Sequence, residues 1–145
     1  MKSQKKIWVL LILAVILIVI LSGCSGLPKT AKINVSFDPN PVPYPGEGND
    51  WTWTLILTES NGVGVTLTNL RFDSYNQEQL ISTEDWPEDW ITGLFDSNYL
   101  PASSSLQGGL GRKVSDLTHT IYTVEGIDDN FNPIEATGRL DFLSQ

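Results

Sequence analysis

Two patterns divide the chain. Ile7 to Leu21 are fifteen consecutive residues without a charge, whereas from Lys32 apolar side chains recur at every second position. Ile33, Val35 and Phe37 alternate with Asn34, Ser36 and Asp38, which predicts a half-buried strand. Asp38 to Asp50 holds four prolines and two glycines, so it predicts neither helix nor central strand. Trp51, Trp53, Leu55 and Leu57 then share a parity opposite Thr52, Thr54, Ile56 and Thr58. Aromatic and β-branched residues in that order suit a pleated surface. Asn61-Gly62 predicts a tight turn. Val63, Val65 and Leu67 continue on one face, while Leu70 and Phe72 have the other parity, which either a bulge near Asn69 or a strand end reconciles.

The middle of the chain is less regular. Gln79 to Ser82 and Trp90 to Phe95 read as short edge strands, and Leu106 and Leu110 anchor another in a Ser- and Gly-rich stretch. Leu117 to Glu125 is β-rich, with Tyr122 and Val124 on one face. A turn over Gly126 to Pro133 leads to Ile134, Ala136, Leu140 and Phe142, which share a parity with Gly138 between them. No helical period runs over twelve residues, and no repeat is visible. About seven short strands around one modest core predict an all-β fold, a single antiparallel β-sandwich over residues 32–145.

The N-terminus has a different character. Lys2, Lys5 and Lys6 precede the apolar run, the layout of an export signal over residues 1–23. As a helix the run spans about 22 Å at ~1.5 Å per residue, short of a bilayer core of roughly 30 Å. The junction Leu21-Ser22-Gly23-Cys24 resembles the lipobox of bacterial lipoproteins: an aliphatic residue, two small ones, then cysteine. The resemblance implies diacylglycerol on the Cys24 thiol, cleavage before Cys24 with Leu21, Ser22 and Gly23 as the recognition residues, and acylation of the freed amine. Two or more acyl chains hold a protein durably where one does not. The alternative is an uncleaved signal anchor with a bystander thiol, and either places the remainder outside the cytoplasm. Ser25 follows the cysteine; in a Gram-negative lipoprotein that residue permits transfer to the outer membrane. The expected location is the cell membrane or outer membrane, on its extracytoplasmic face. Residues 24–31 read as a short lipidated tether, the seven from Ser25 reaching about 25 Å at most.

The motifs PNPV, WTWTLILTE, NGVGVTLT and TVEGIDDNFNPIEATGRL, in that order, look like bacterial immunoglobulin-like domains of envelope proteins. The resemblance implies an immunoglobulin-like sandwich of the non-catalytic, binding kind. The inter-sheet cysteine pair of antibody domains is missing, which leaves fibronectin-like relatives open.

Charge narrows the partners. The chain carries −8; without its first three lysines, the nine basic residues fall to six against seventeen acids, or −11. That argues against nucleic acid or an anionic surface as the partner of the folded part. One cysteine excludes a disulfide framework. His119 is the sole histidine, and no Gly-x-Ser-x-Gly elbow accompanies it, so neither a catalytic set nor a zinc site is expected. Asp128, Asn130 and Asn132 have the spacing that opens a calcium loop, but Pro133 and Arg139 stand where glycine and an acid are needed. A looser calcium site on Asp128, Asp129 and Asn130 is a weak candidate beside a polar turn whose side chains bond their own backbone.

The stretch Glu84-Asp85-Trp86-Pro87-Glu88-Asp89-Trp90 puts four carboxylates around two indoles. As a loop it offers Trp86 and Trp90 to a protein or sugar, with Glu84, Asp85, Glu88 and Asp89 bonding hydroxyls. Structurally, Asp85 caps a single helical turn with Pro87 near its start, and the indoles plug the end of the sandwich. Trp51 and Trp53 are expected in the core, and the prolines of 39–45 as a stiff cover or a polyproline display. The expectation is a lipid-anchored envelope protein that binds, adheres or scaffolds without catalysis or cofactor. Its partners are membrane lipid through Cys24 and an envelope protein or polysaccharide. The alternative is a carbohydrate- or calcium-dependent binding module.

Overall fold

The structure, a computed structural model, describes residues 29–113 and 116–143. The expected signal segment, the lipobox and Cys24 lie outside them. Eight strands form: β1 (Ile33–Asp38), β2 (Trp51–Glu59), β3 (Val65–Asn76), β4 (Gln79–Pro87), β5 (Tyr99–Leu100), β6 (Ser105–Arg112), β7 (His119–Asp128) and β8 (Pro133–Asp141). Among the described residues one helix forms, α1 (Glu88–Phe95), between β4 and β5. One sheet has the order β1-β2-β6; the other runs β4-β3-β7-β8, with β5 paired to β3. Every pairing of named strands is antiparallel.

Alternation explains which faces meet. Trp51, Trp53, Leu55 and Leu57 of β2 are buried against Leu70 and Phe72 of β3, Tyr122 and Val124 of β7 and Leu140 of β8 in one apolar cluster. β3 stays one strand through its change of parity because its register with β7 shifts between Leu67 and Asn69. The bulge turns Leu70 and Phe72 back to the core that Val65 and Leu67 face. The proline-rich segment docks through Val42, whose N–H donates to the Asp141 carbonyl at 2.8 Å.

Four local expectations change. Trp90 to Phe95 is helical: Ile91 and Phe95, four apart, are the buried pair, and Glu88 and Asp89 complement the helix dipole in the first turn. Consequently 84–90 is no loop, since Glu84–Pro87 end β4 and Glu88–Trp90 begin α1. Pro87, not Asp85, occupies the N-cap and makes no side-chain cap bond. The turn before β8 contracts to residues 129–132, with β7 continuing to Asp128.

The packed chain begins before residue 32. Ala31 is buried, and its N–H donates to Asp128 Oδ2 at 3.0 Å. Lys32 N–H donates to Glu59 Oε1 at 3.1 Å. Glu59 is 1% exposed and also accepts from the N–H groups of Asn61, Gly62, Val63 and Ser103. Burial alone would raise its pKa; the backbone donors of Ser103, Asn61, Lys32 and Gly62 outweigh that and bring it to about 2. Two carboxylates thus tie the entering chain to the loops at this end of the molecule.

The two lateral sides of the sandwich differ. At one, β1 crosses β8 where Gly138 lets it approach: a Cβ there would lie 2.6 Å from Val35 Cγ1. At the other, α1 seats Leu94 over Gly108 of β6, where a Cβ would lie 3.0 Å from the Leu94 carbonyl. Beyond Gly108 this side stays open.

Candidate functional site

The open side is bordered by β4 of one sheet and β6 of the other, both edge strands. Between them lies a cleft of about 320 Å³ lined by Trp53, Phe72, Trp86, Leu110 and Tyr122, with Glu84 and Arg112 also in its wall. Each wall has a cause in sequence. Trp53 is an inward position of β2, Tyr122 of β7 and Phe72 of β3. Leu110 of β6 pairs with Trp53 and shares its inward face, while Gly111, whose Cβ would point outward to Thr52, lines the cleft only through its backbone.

The aromatic rings form a continuous file from the core to solvent. Phe37 meets Tyr122, Tyr122 meets Phe72 and Phe72 meets Trp86, each with centroids 4.7 Å apart. Trp86 meets Trp90 at 5.4 Å. Such tilted and edge-on pairs add about 0.5–1.5 kcal/mol each beyond their burial. They hold the cleft's floor rigid while Trp90, 60% exposed, presents an indole at its outer end.

Polar groups in the wall are few. Arg112 Nη2 and Glu84 Oε1 pair at 3.1 Å across the two sheets, partly exposed on both sides. A pair this wet is worth at most about 1 kcal/mol. Tyr122 is almost wholly buried, and burial pushes its phenol well above the ordinary tyrosine range, with the neighbouring Trp53 N–H acting in the opposite sense. Even so, no acceptor completes a hydrogen bond to Trp53 Nε1; it is a buried donor without a partner. Leaving such a group unsatisfied costs about 1–3 kcal/mol.

The six residues expected from 84–90 therefore separate. Glu84 and Trp86 line the cleft. Asp89 and Trp90 line its shallow continuation past Leu94 and Gly109. Asp85 accepts from Asn69 Nδ2 at 3.3 Å on an exposed surface, and Glu88 is exposed at the start of α1. Trp86 packs on the core, as the plug arrangement has it, whereas Trp90 does not.

Trp53, Phe72, Leu110 and Tyr122 were not among the expected contacts. Their parity alone says core. The available signal was Gly108-Gly109-Leu110-Gly111, a strand stripped of side chains opposite an aromatic-rich neighbour.

The turn after β7 uses its own donors. Asp128 Oδ1 accepts from the N–H groups of Asn130 at 2.9 Å and Asn132 at 2.8 Å, and Asn132 Nδ2 bridges both oxygens. Asp129 Oδ2 accepts from the Tyr99 hydroxyl at 3.0 Å, and Asn130 Nδ2 donates to the Lys29 carbonyl at 2.7 Å. Among the described residues, no group of three or more His, Cys, Asp or Glu is placed to hold a metal. His119 stacks on Tyr75 at 4.9 Å; burial first, then Arg139, lowers its pKa and keeps the ring neutral at pH 7.

No family model and no curated protein matches this sequence. Among solved structures, the chain is similar to a Bordetella pertussis protein bearing the provisional name ApaA, with a TM-score of 0.57 and 14% identity over 82% of this chain and 100% of that one. It is also similar to the Northeast Structural Genomics Consortium target SoR45, with a TM-score of 0.52 and 12% identity over 83% of this chain and 95% of that one. At such identities the likeness is one of fold.

Proposed function

We propose that this chain is a lipid-anchored protein of the cell envelope whose immunoglobulin-like sandwich binds an envelope partner noncovalently in the β4–β6 cleft. The anchor reading rests on Leu21-Ser22-Gly23-Cys24 behind a charge-free run. The sandwich reading is supported by the order of three strands, β1-β2-β6, facing β4-β3-β7-β8. The fourth strand pairs with the third, an arrangement nearer fibronectin-like relatives than the antibody constant type.

The observation that carries the binding reading is the aromatic cleft itself. Trp53, Phe72, Trp86, Leu110 and Tyr122 converge on one solvent-open hollow with Glu84 and Arg112 in its wall, which is complementary to a ligand that brings a flat apolar face. Among the described residues Glu84 is the one carboxylate of that wall and is held by Arg112, an arrangement suited to binding.

The test is capture from the native envelope with the acylated protein, repeated with Trp86→Ala and with Trp53→Phe. A partner retained by the parent chain and lost by both variants supports the reading; retention by both removes it. A second reading, a polysaccharide ligand, is favoured by the exposed Trp90 indole beside Asp89. It requires quenching of tryptophan fluorescence by a polysaccharide that disappears in the Trp86→Ala, Trp90→Ala double variant.

A further inference from the structure

Phe131 is 88% exposed, the most exposed of the large apolar side chains among the described residues. It sits in the turn between β7 and β8 with φ of 63°, a left-handed conformation that bulky side chains rarely adopt and that asparagine or glycine ordinarily fills. The turn is not loose. Asp128 N–H donates to the Asn132 carbonyl at 3.0 Å, Phe131 N–H donates to the Asp128 carbonyl at 2.9 Å, and the Asp128 carboxylate gathers the N–H groups of Asn130 and Asn132. A phenyl ring is thus held outward where the backbone favours a small polar residue. Ile127, 47% exposed, and the exposed Pro133 flank it on the same hairpin.

The position of the turn says what covers it. Asn130, next to Phe131, holds the Lys29 carbonyl, and Asp128 holds the Ala31 N–H. The chain therefore enters the fold beside this ring. Cys24 lies five residues before Lys29, a separation of at most about 18 Å in an extended chain. A bilayer that receives Cys24 lies within reach of the same end.

We infer that the Phe131 hairpin tip is a second membrane contact, inserting its ring into the headgroup boundary of a zwitterionic phospholipid surface beside the lipid anchor. The inference rests on the anchor reading above. Zwitterionic lipid follows from charge: Glu125, Asp129 and Glu135 share the hairpin, Lys29 stands at the entry, and the chain as a whole carries −8. Apolar and aromatic side chains at such a boundary add to an acyl anchor and fix how the domain is oriented. The β4–β6 cleft then keeps a constant attitude to the membrane.

The test uses the full acylated chain in phosphatidylcholine vesicles, with an environment-sensitive fluorophore on Phe131→Cys or, as control, on Leu80→Cys. Leu80 is 49% exposed near the β3–β4 turn, at the far end of β3 from Val65, which pairs with Asp128. The expected result is a blue shift at 131 with loss of most emission to bilayer-resident nitroxide lipids, and neither change at 80. Flotation with the vesicles but no quenching at 131 would overturn the inference and leave the anchor standing. A blue shift that nitroxide lipids leave unquenched would place the ring against protein, such as a second copy of the chain, and would also overturn it. Failure of the acylated chain to float removes the anchor reading and this inference together.

Discussion

Glu59 ends a run in which Trp51, Trp53, Leu55 and Leu57 face inward, and parity carries its carboxylate to the same side. A buried charge is tolerated only when fully hydrogen-bonded, and five backbone N–H groups meet this one. Its folded pKa of about 2, against an ordinary value of 4.5, sets the sign of the pH effect. The depressed value stabilises the fold above pH 4.5, and that contribution is lost as pH falls toward 2. Converted at about 1.36 kcal/mol per unit, it amounts to roughly 3 kcal/mol near neutrality. Glu59→Gln is expected to cost about 2–4 kcal/mol in urea unfolding at pH 7, and the gap from the parent should narrow at pH 3. An equal gap at both would mean the charge is not what the cage stabilises. Trp53→Phe has the opposite logic. It removes an unpartnered donor along with some buried area, so the two changes offset to within about 1 kcal/mol. A much larger loss would show that Nε1 already has an acceptor.

Helix α1 shows the same side chains acting as a unit. Ile91 and Phe95 reach the core, Leu94 rests on Gly108, and Trp90 stays outside against Trp86. Ile91 is 1% exposed, so Ile91→Ala should cost about 2–5 kcal/mol in urea unfolding. Gly108→Val should cost about 1–3 kcal/mol by lifting Leu94 and the helix from β6. If either variant unfolds at the parent midpoint, the helix is not seated as described. The sequence offered one helical turn near Pro87, but Trp90 to Phe95 read as a strand for a physical reason. Two turns of helix offer only Ile91 and Phe95 as a buried pair, too few to establish a 3.6-residue period, and Ile91, Gly93 and Phe95 also satisfy alternation. Strands β2 and β7 were legible because one face is buried along their whole length, and β8 because buried or half-buried residues alternate with exposed ones. In β3 the reversal of parity was legible, but a strand end accounts for it as well as a bulge does; the register shift between Leu67 and Asn69 decides for the bulge. The cleft was half legible: Glu84, Trp86, Asp89 and Trp90 stand out in composition, whereas Trp53, Phe72 and Tyr122 reach it only through sheet packing that no local pattern encodes.

At the scale of the whole molecule, the two sides of the sandwich are held unequally. β2, β3 and β7 are paired along both edges. On one side β1 closes against β8 over Gly138, with Val42 bonded to Asp141 beyond it. On the other, β4 and β6 are joined across the cleft by α1 and by the Glu84–Arg112 pair. Partial opening follows the side with fewer buried contacts. Amide hydrogen exchange should therefore be slowest in β2, β3 and β7, and faster in β4 and α1 than in β1 and β8. Arg112→Gln should quicken exchange in β4 while costing under about 1 kcal/mol overall, an effect that high salt suppresses. A ligand seated in the cleft binds only the closed arrangement, so it must raise protection in β4, α1 and β6 in proportion to its occupancy. The same ligand should leave β1 and β8 nearly unchanged. Protection that rises instead along β1 and β8 would assign the partner to the sealed side, where Gly138 leaves no opening, and the cleft would lose its role.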